Sequence, residues 1–224
     1  MASRIQALLH NHTTLLAGIS HDLRSPLTRA IIALELAETM PDAATFKDLG
    51  RYLGQLEQLI AEFMDFSRGV VLEADTTLEL SAWVAQICNE LSVDKSPVNF
   101  TGEPVQLTYN PSALQRVLRN LIENAQPYSG GKPVDVQIAA LADAAVIEIH
   151  DQGPGIPEAE RERVFLPFVR LEASRNPATG GSGLGLAIVK EICRVHHWRV
   201  ALLSRPEAGL TARLEIPLLP HLLA

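Results

Sequence analysis

Two different apolar periods divide the chain. Over residues 3 to 40, Ile5, Leu8, Leu15, Ile19, Leu23, Leu27, Ile31 and Leu34 recur mostly at three- and four-residue steps, which predicts one long amphipathic helix. The segment MPDAAT interrupts it. A second helix is expected beyond, where Phe46, Leu49, Leu53, Leu56, Ile60 and Phe63 alternate in the heptad fashion of coiled coils and four-helix bundles. Two such helices do not bury their stripes fully as a lone hairpin; pairing two hairpins into a four-helix bundle does. Gly50 and Gly54 weaken the second helix and suit close helix approach.

From about Leu72 the heptads stop, and short strands alternate with amphipathic helices. SAWVAQICNEL predicts a helix capped by Ser81, and NPSALQRVLRNLIENA one capped by Asn110 with Pro111 in its first turn. VNFTG and VQLTY predict strands. VDVQIAALADAAVIEIH predicts a hairpin turning near Ala142 and Asp143, and WRVALLS with LTARLEIPL a second one. GLGLAIVKEICRVH predicts a helix, whereas residues 152 to 182, rich in Gly, Pro and charge, show no long period. The boundary between the two textures falls near residues 68 to 74.

Composition narrows the class. The 224 residues carry 19 Lys and Arg against 26 Asp and Glu, a net charge of −7, which argues against a nucleic-acid partner. Cys88 and Cys193 lie far apart and form no CxxC, so they read as buried thiols. No apolar run approaches the ~20 residues of a membrane span. The chain is expected to be the soluble portion of a longer protein.

GISHDLRSPLTRA carries the first candidate chemistry. At about 100° per residue, Ile19 and Leu23 lie nearly opposite His21, so the imidazole points away from a buried stripe of Leu16, Ile19, Leu23 and Leu27. Asp22 is adjacent and Ser25 lies one turn on, while Pro26 opens the helical ladder just past the histidine. A carboxylate that fixes the tautomer makes the other ring nitrogen a better nucleophile. Taken alone, the commoner reading of such a pair is a solvated helix face.

Three further groups stand out. Asn120 and Asn124 share a helix face at i and i+4, where two amide oxygens suit one Mg²⁺, or are merely border polar residues. In VIEIHDQGPGIP, strand alternation sets Asp151 on the side of Ile147 and Ile149, pointing inward. A buried carboxylate needs a donor, either a ligand amino group such as that of adenine or an internal turn hydrogen bond. Gly153 and Gly155 let the backbone turn close against a ligand. Gly180, Gly181, Gly183 and Gly185 stand directly before a helix, an arrangement that suits an anion but is weak on its own. The pattern fits neither a P-loop nor a dinucleotide fingerprint.

In their order along the chain these pieces resemble the sensor histidine kinases of two-component systems. SHDLRSPLTR resembles the H-box, NLIENAQPYS the N-box, DQGPGIP the G1 box, VFLPFVR the F-box and GGSGLGLAIVK the G2 box. The resemblance spans nearly the whole chain and is greatest to the EnvZ/CpxA/RstB type of Gram-negative bacteria. It implies an all-α helical hairpin over residues 1–70, dimerising into a four-helix bundle. An α/β two-layer sandwich of GHKL (Bergerat) type over residues 71–224 follows. By the same resemblance His21 is the phosphoacceptor, Asp22 its base and orienter, and Ser25 a residue of partner dephosphorylation. ATP and Mg²⁺ are the implied cofactors, with Asn124 and Asn120 as metal ligands, Asp151 on the adenine amino group and Gly153 and Gly155 shaping that pocket. Gly181, Gly183 and Gly185 line the phosphate side, and Arg170 and Arg175 neutralise phosphoryl charge. Residues 156 to 180 become an ATP lid, with Phe165 and Phe168 directed to the bundle. The implied partners are a second copy of the chain and the receiver domain of a response regulator, with the full-length protein anchored in a bacterial inner membrane and this portion in the cytoplasm.

Two departures stand out: Ser25 where the family usually has Thr, and Pro127 where many members have Lys or Arg. Serine keeps the hydroxyl with a less restricted rotamer. Proline removes a cation near the phosphates and is expected to end its helix early. Two rivals follow. One is another ATPase of the GHKL class; the other is a catalytically weak dimeric scaffold that binds nucleotide and partners. If Arg170, Arg175 or Lys190 compensates for Pro127, changing all three to alanine weakens ATP binding in a titration; unchanged affinity would sink that idea.

Overall fold

A computed structural model describes residues 23–67, 74–92, 96–171, 183–205 and 208–218. The chain divides into two compact units, Met1–Gly69 and Val70–Ala224.

The first unit is a helical hairpin. Its first helix, α1, is described over residues 23–39, and Ala43–Ser67 form the 25-residue α2. Asp42 caps α2 by accepting a hydrogen bond from the Thr45 N–H at 2.6 Å, which holds its carboxyl below the usual value. The seam between the two helices uses only part of the apolar pattern. On α1 the buried positions are Pro26, Ala30, Ala33 and Ala37, a stripe of small residues. On α2 the positions turned inward are Thr45, Leu49, Tyr52, Leu56, Leu59 and Phe63. Leu27, Ile31 and Leu34, expected inside, are 48%, 49% and 49% exposed, and Phe46, Leu53 and Ile60 are exposed as well. The physical reason is geometric: alanines let the helix backbones approach, and the larger side chains are displaced to the flank of the seam.

The second unit is a two-layer sandwich. Its elements are β1 (Thr76–Glu79), α3 (Leu80–Leu91), β2 (Val98–Gly102), β3 (Gln106–Tyr109), α4 (Pro111–Tyr128), β4 (Val134–Ala140) and β5 (Ala144–His150). After two 3₁₀ turns, Glu158–Glu160 and Arg163–Phe165, come α5 (Gly185–Val195), β6 (Arg199–Ser204) and β7 (Leu210–Pro217). Strands β2-β4-β5-β7-β6 form the main sheet, with β2 and β4 parallel and the remaining pairs antiparallel. One row of side chains, Phe100, Val136, Ile149, Ala212 and Leu202, crosses the whole sheet in register. Helices α3, α4 and α5 cover that face, and Leu114, Leu118, Leu121, Ile188 and Ile192 are buried there. The opposite face is polar: Arg213 reaches Glu148 at 3.4 Å and Glu215 at 2.9 Å, and Asn99 donates to Asp135 at 2.9 Å. This alternation is what a sheet covered on one side requires.

Local expectations divide. Asn110 caps α4, its side chain accepting from the Ala113 N–H at 2.9 Å, with Pro111 in the first turn. Ser81 is not the cap of α3. Glu79 takes that role by accepting from the N–H groups of Ser81 and Ala82 at 2.8 and 2.7 Å. Pro127 does not end α4 early, because the helix runs on to Tyr128. A proline in the last turn loses only one intrahelical bond. Strand β1, unanticipated, pairs with β3 in a separate two-stranded sheet. Both cysteines are buried, which pushes their thiols up to about 12.

Gly54 lies opposite the α2 seam, with open space where a Cβ would stand. Gly54→Ala is therefore expected to stabilise the hairpin by about 0.5–1 kcal/mol. The denaturation midpoint of the variant measures this, and a lowered midpoint would mean that the face is covered.

Candidate functional site

Asp151 follows directly on β5, on the side of Ile147 and Ile149, and is only 6% exposed. Its Oδ1 accepts from the N–H of Gly153 at 2.8 Å and from that of Leu210 at 3.0 Å. Its own N–H donates to the Leu210 carbonyl at 2.9 Å. The internal turn hydrogen bond is thus present. One oxygen closes an internal turn, while Oδ2 accepts no hydrogen bond from the described residues. Burial pushes the carboxyl above its ordinary 3.8, against the pull of those two N–H donors, Arg205 and His150.

The glycines set distances around it. A Cβ on Gly153 would lie 3.0 Å from the Tyr128 Cβ, so the turn after β5 packs directly on the end of α4. Gly155 backs onto the Gly209 carbonyl, 3.1 Å from where its Cβ would stand. Gly209, unnoticed in the sequence, is the most constrained: at φ +104° its Cβ would come within 2.2 Å of the Asp151 carbonyl oxygen. No side chain fits there. From sequence alone Gly209 is a turn glycine before a strand and nothing more.

Helix α4 runs along the site. Its Tyr128 end touches the Asp151 turn, and Asn120, eight residues or about 12 Å earlier, touches the start of α5. There the Asn120 Oδ1 is 2.9 Å from a Cβ placed on Gly185, while its Nδ2 donates to the Arg116 carbonyl at 2.8 Å. The amide nitrogen is committed and the oxygen is turned to the helix start, the orientation a hard cation needs. Asn124 is half-buried between these ends. The N-cap residue of α5, Leu184, makes no side-chain capping bond, and a helix start of this kind suits an anion. The donor set thus fits a nucleotide with its base at Asp151 and its phosphates and a divalent cation towards Asn120.

The segment bearing Phe165 and Phe168 is tied into its own unit. Phe165 is buried inside the unit, under Lys190, whose ammonium lies 4.9 Å from the ring centre and 3.6 Å from Glu162. Phe168, at φ 62°, donates its N–H to the Gly183 carbonyl at 3.0 Å, and a Cβ on Gly183 would meet the Phe168 backbone at 3.0 Å. Arg170 stands two residues on, half-buried. In the hairpin, exposed Ser25 accepts from Arg29 at 2.7 Å, and the same guanidinium lies 5.9 Å from the centre of the Tyr52 ring. His21, Asp22, Arg175 and Gly181 lie outside the described residues.

Residues 109–220 match the family of Histidine kinase-, DNA gyrase B-, and HSP90-like ATPases, and residues 11–69 the His Kinase A (phospho-acceptor) domain. The chain is 36% identical over 200 residues to Sensor protein RstB of Escherichia coli strain K12, covering 86% of this chain and 46% of that protein. To the Sensor histidine kinase CpxA of the same strain it is 32% identical over 229 residues, covering 97% and 50%. It spans about half the length of these curated relatives. Among solved structures, the histidine kinase ThkA in complex with the response regulator TrrA matches with a TM-score of 0.76 at 21% identity, covering 97% of this chain and 65% of that one. No helix among the described residues is long and apolar enough to cross a membrane.

Asp151→Asn is expected to weaken adenine-nucleotide binding by about 10- to 100-fold, the range for hydrogen bonds to a charged group. The wild-type affinity, present while Asp151 is ionised, is lost as pH falls through its raised pKa, earlier than an exposed aspartate would allow. Calorimetric titration across the acidic range checks both.

Proposed function

The chain belongs to the sensor histidine kinases, and on that premise we propose that it is an ATP-dependent protein-histidine autokinase acting on His21. The observation that carries this reading is the uncommitted Oδ2 of buried Asp151 at one end of α4, with the Asn120 oxygen and the uncapped start of α5 at the other. Asp151 accepts from the adenine amino group, and the turn of Gly153 and Gly155 shapes the base pocket. Asn120 and Asn124 hold Mg²⁺, which supplies charge neutralisation at the phosphates. Gly181, Gly183 and Gly185 let the backbone approach the phosphates, and Arg170 and Arg175 add positive charge.

The neutral imidazole of His21 attacks the γ-phosphorus in line. A nitrogen–phosphorus bond forms, the bond to the β,γ-bridging oxygen breaks, and ADP leaves with that electron pair. Asp22 orients the ring and takes its proton. The phosphoryl group then passes to an aspartate of a response-regulator receiver domain, which docks on the helical unit near His21. The likeness to ThkA, solved with a response regulator, supports that class of partner. Ser25 keeps a hydroxyl that would position a water to attack the regulator's aspartyl phosphate, breaking the acyl–phosphate bond and releasing inorganic phosphate, with Arg29 as its present partner.

The exposed apolar stripe of Leu27, Ile31, Leu34, Phe46, Leu53 and Ile60 supports a homodimer through a four-helix bundle. The longer protein is anchored in the bacterial inner membrane, with this portion cytoplasmic.

Transfer of labelled γ-phosphate from Mg·ATP to the 224-residue chain tests the reading, with His21→Ala alongside. Label that is lost in acid, survives base and vanishes in the variant is expected. Tight nucleotide binding without label would favour the scaffold reading, and label persisting in the variant would point to another acceptor.

A further inference from the structure

Residues at the end of β6 and the start of β7 hold the Asp151 segment at both ends. At the first end, Arg205 donates from Nη1 to the main-chain carbonyl of Asp151 at 3.0 Å, while its N–H donates to the Gly209 carbonyl at 3.4 Å. Leu210 exchanges two hydrogen bonds with Asp151, one to the carboxylate and one from the backbone. At the other end, Arg161 donates from Nε to the Ile156 carbonyl at 3.2 Å and from Nη2 to the Ser204 hydroxyl. Residues 151 to 156 are thus tied at Asp151 by Arg205 and Leu210 and at Ile156 through Arg161.

We propose that Arg205 is a positioning residue of the nucleotide site: its guanidinium grips the Asp151 carbonyl and keeps the carboxylate aimed and charged for the adenine amino group. This rests on the nucleotide reading above. Gly209 permits the grip, since any side chain there would displace the very carbonyl that Arg205 binds. The positive charge has a second effect. The titratable and charged groups acting on Asp151 are Arg205, from the β6–β7 turn, and His150, from β5; both favour the ionised carboxylate against burial. His150 bonds through Nδ1 to the Thr211 hydroxyl at 2.8 Å and lies 3.6 Å from Glu148 through Nε2. Burial, and then Arg205, hold its imidazole below the ordinary value, so Arg205 is the cation that remains at neutral pH.

A purely structural clamp and a positioning residue make different predictions. Arg205→Gln keeps a hydrogen-bond donor without charge, and Arg205→Lys keeps the charge. The Asp151 carboxyl can be titrated by carbon-13 NMR in the nucleotide-free 224-residue chain, and ATP affinity measured across the same pH range. In Arg205→Gln the carboxyl is expected to titrate higher than in wild type. ATP affinity should fall about tenfold, the scale of one charge-assisted hydrogen bond, with the acid loss setting in at higher pH. Arg205→Lys should restore the titration and most of the affinity. An Asp151 carboxyl that titrates alike in all three proteins overturns the proposal. A shifted carboxyl in a chain whose wild type takes no ATP supports the Arg205–Asp151 linkage and overturns the nucleotide reading instead.

Discussion

The carboxylate of Asp151 is the constraint on which the α/β unit turns. Burying an ionisable group is unfavourable unless donors replace the lost water. Here they come from two places: the Gly153 N–H from the turn that follows β5, and the Leu210 N–H from the first residue of β7. One oxygen therefore joins a sheet register to a loop conformation, and the loop cannot relax without unpairing a buried charge. The same requirement explains why Gly209 carries no side chain and why Gly153 lies so close to Tyr128. What is left after these demands is one carboxylate oxygen that accepts no hydrogen bond from the described residues.

Helix α4 converts that local constraint into a site of defined length. Its apolar face is buried against the sheet and α5, so its position is set by core packing rather than by the site. Its polar edge then presents Asn120 and Asn124 at fixed distances from Tyr128. The start of α5 meets Asn120 without a Cβ, so in the proposed site the base end and the phosphate end are both referenced to one rigid element. The turns after Asp151 are secured to the same body: Phe165 lies under Lys190, and Phe168 is bonded to Gly183.

The helical unit follows a different logic. Its internal seam uses small residues on α1 against larger ones on α2, which brings the backbones close. The cost is that several large apolar side chains stand beside the seam, each worth about 1.5–3 kcal/mol if buried. A surface of this kind is ordinary at an interface and unfavourable in water. In the proposed dimer those side chains become the core of a four-helix bundle, so the hairpin alone is only half of a folding unit.

Much of this was legible in the sequence. The change from a heptad to alternating strands and helices marks the two units. Period and caps placed α4, β4, β5, β6 and β7, and the parity of β5 put Asp151 inside with Ile147 and Ile149. Those features are local, since they depend on side-chain period and on one or two neighbouring residues. Where an outcome depended on what another segment brought, sequence could not decide it. Ser81 looked like a cap until the helix began one residue earlier, at Leu80, with Glu79 as its cap. Within one hairpin the seam went to Ala30 and Ala33 and left Leu27 and Ile31 beside it. Nothing near Phe165 in sequence announced Lys190 over its ring, and Arg205 and Gly209, more than fifty residues from Asp151, carried no sign of the carbonyl they meet. Tertiary structure alone settles such cases, because burial and hydrogen bonding are properties of pairs of surfaces, and the chain order records only one member of each pair.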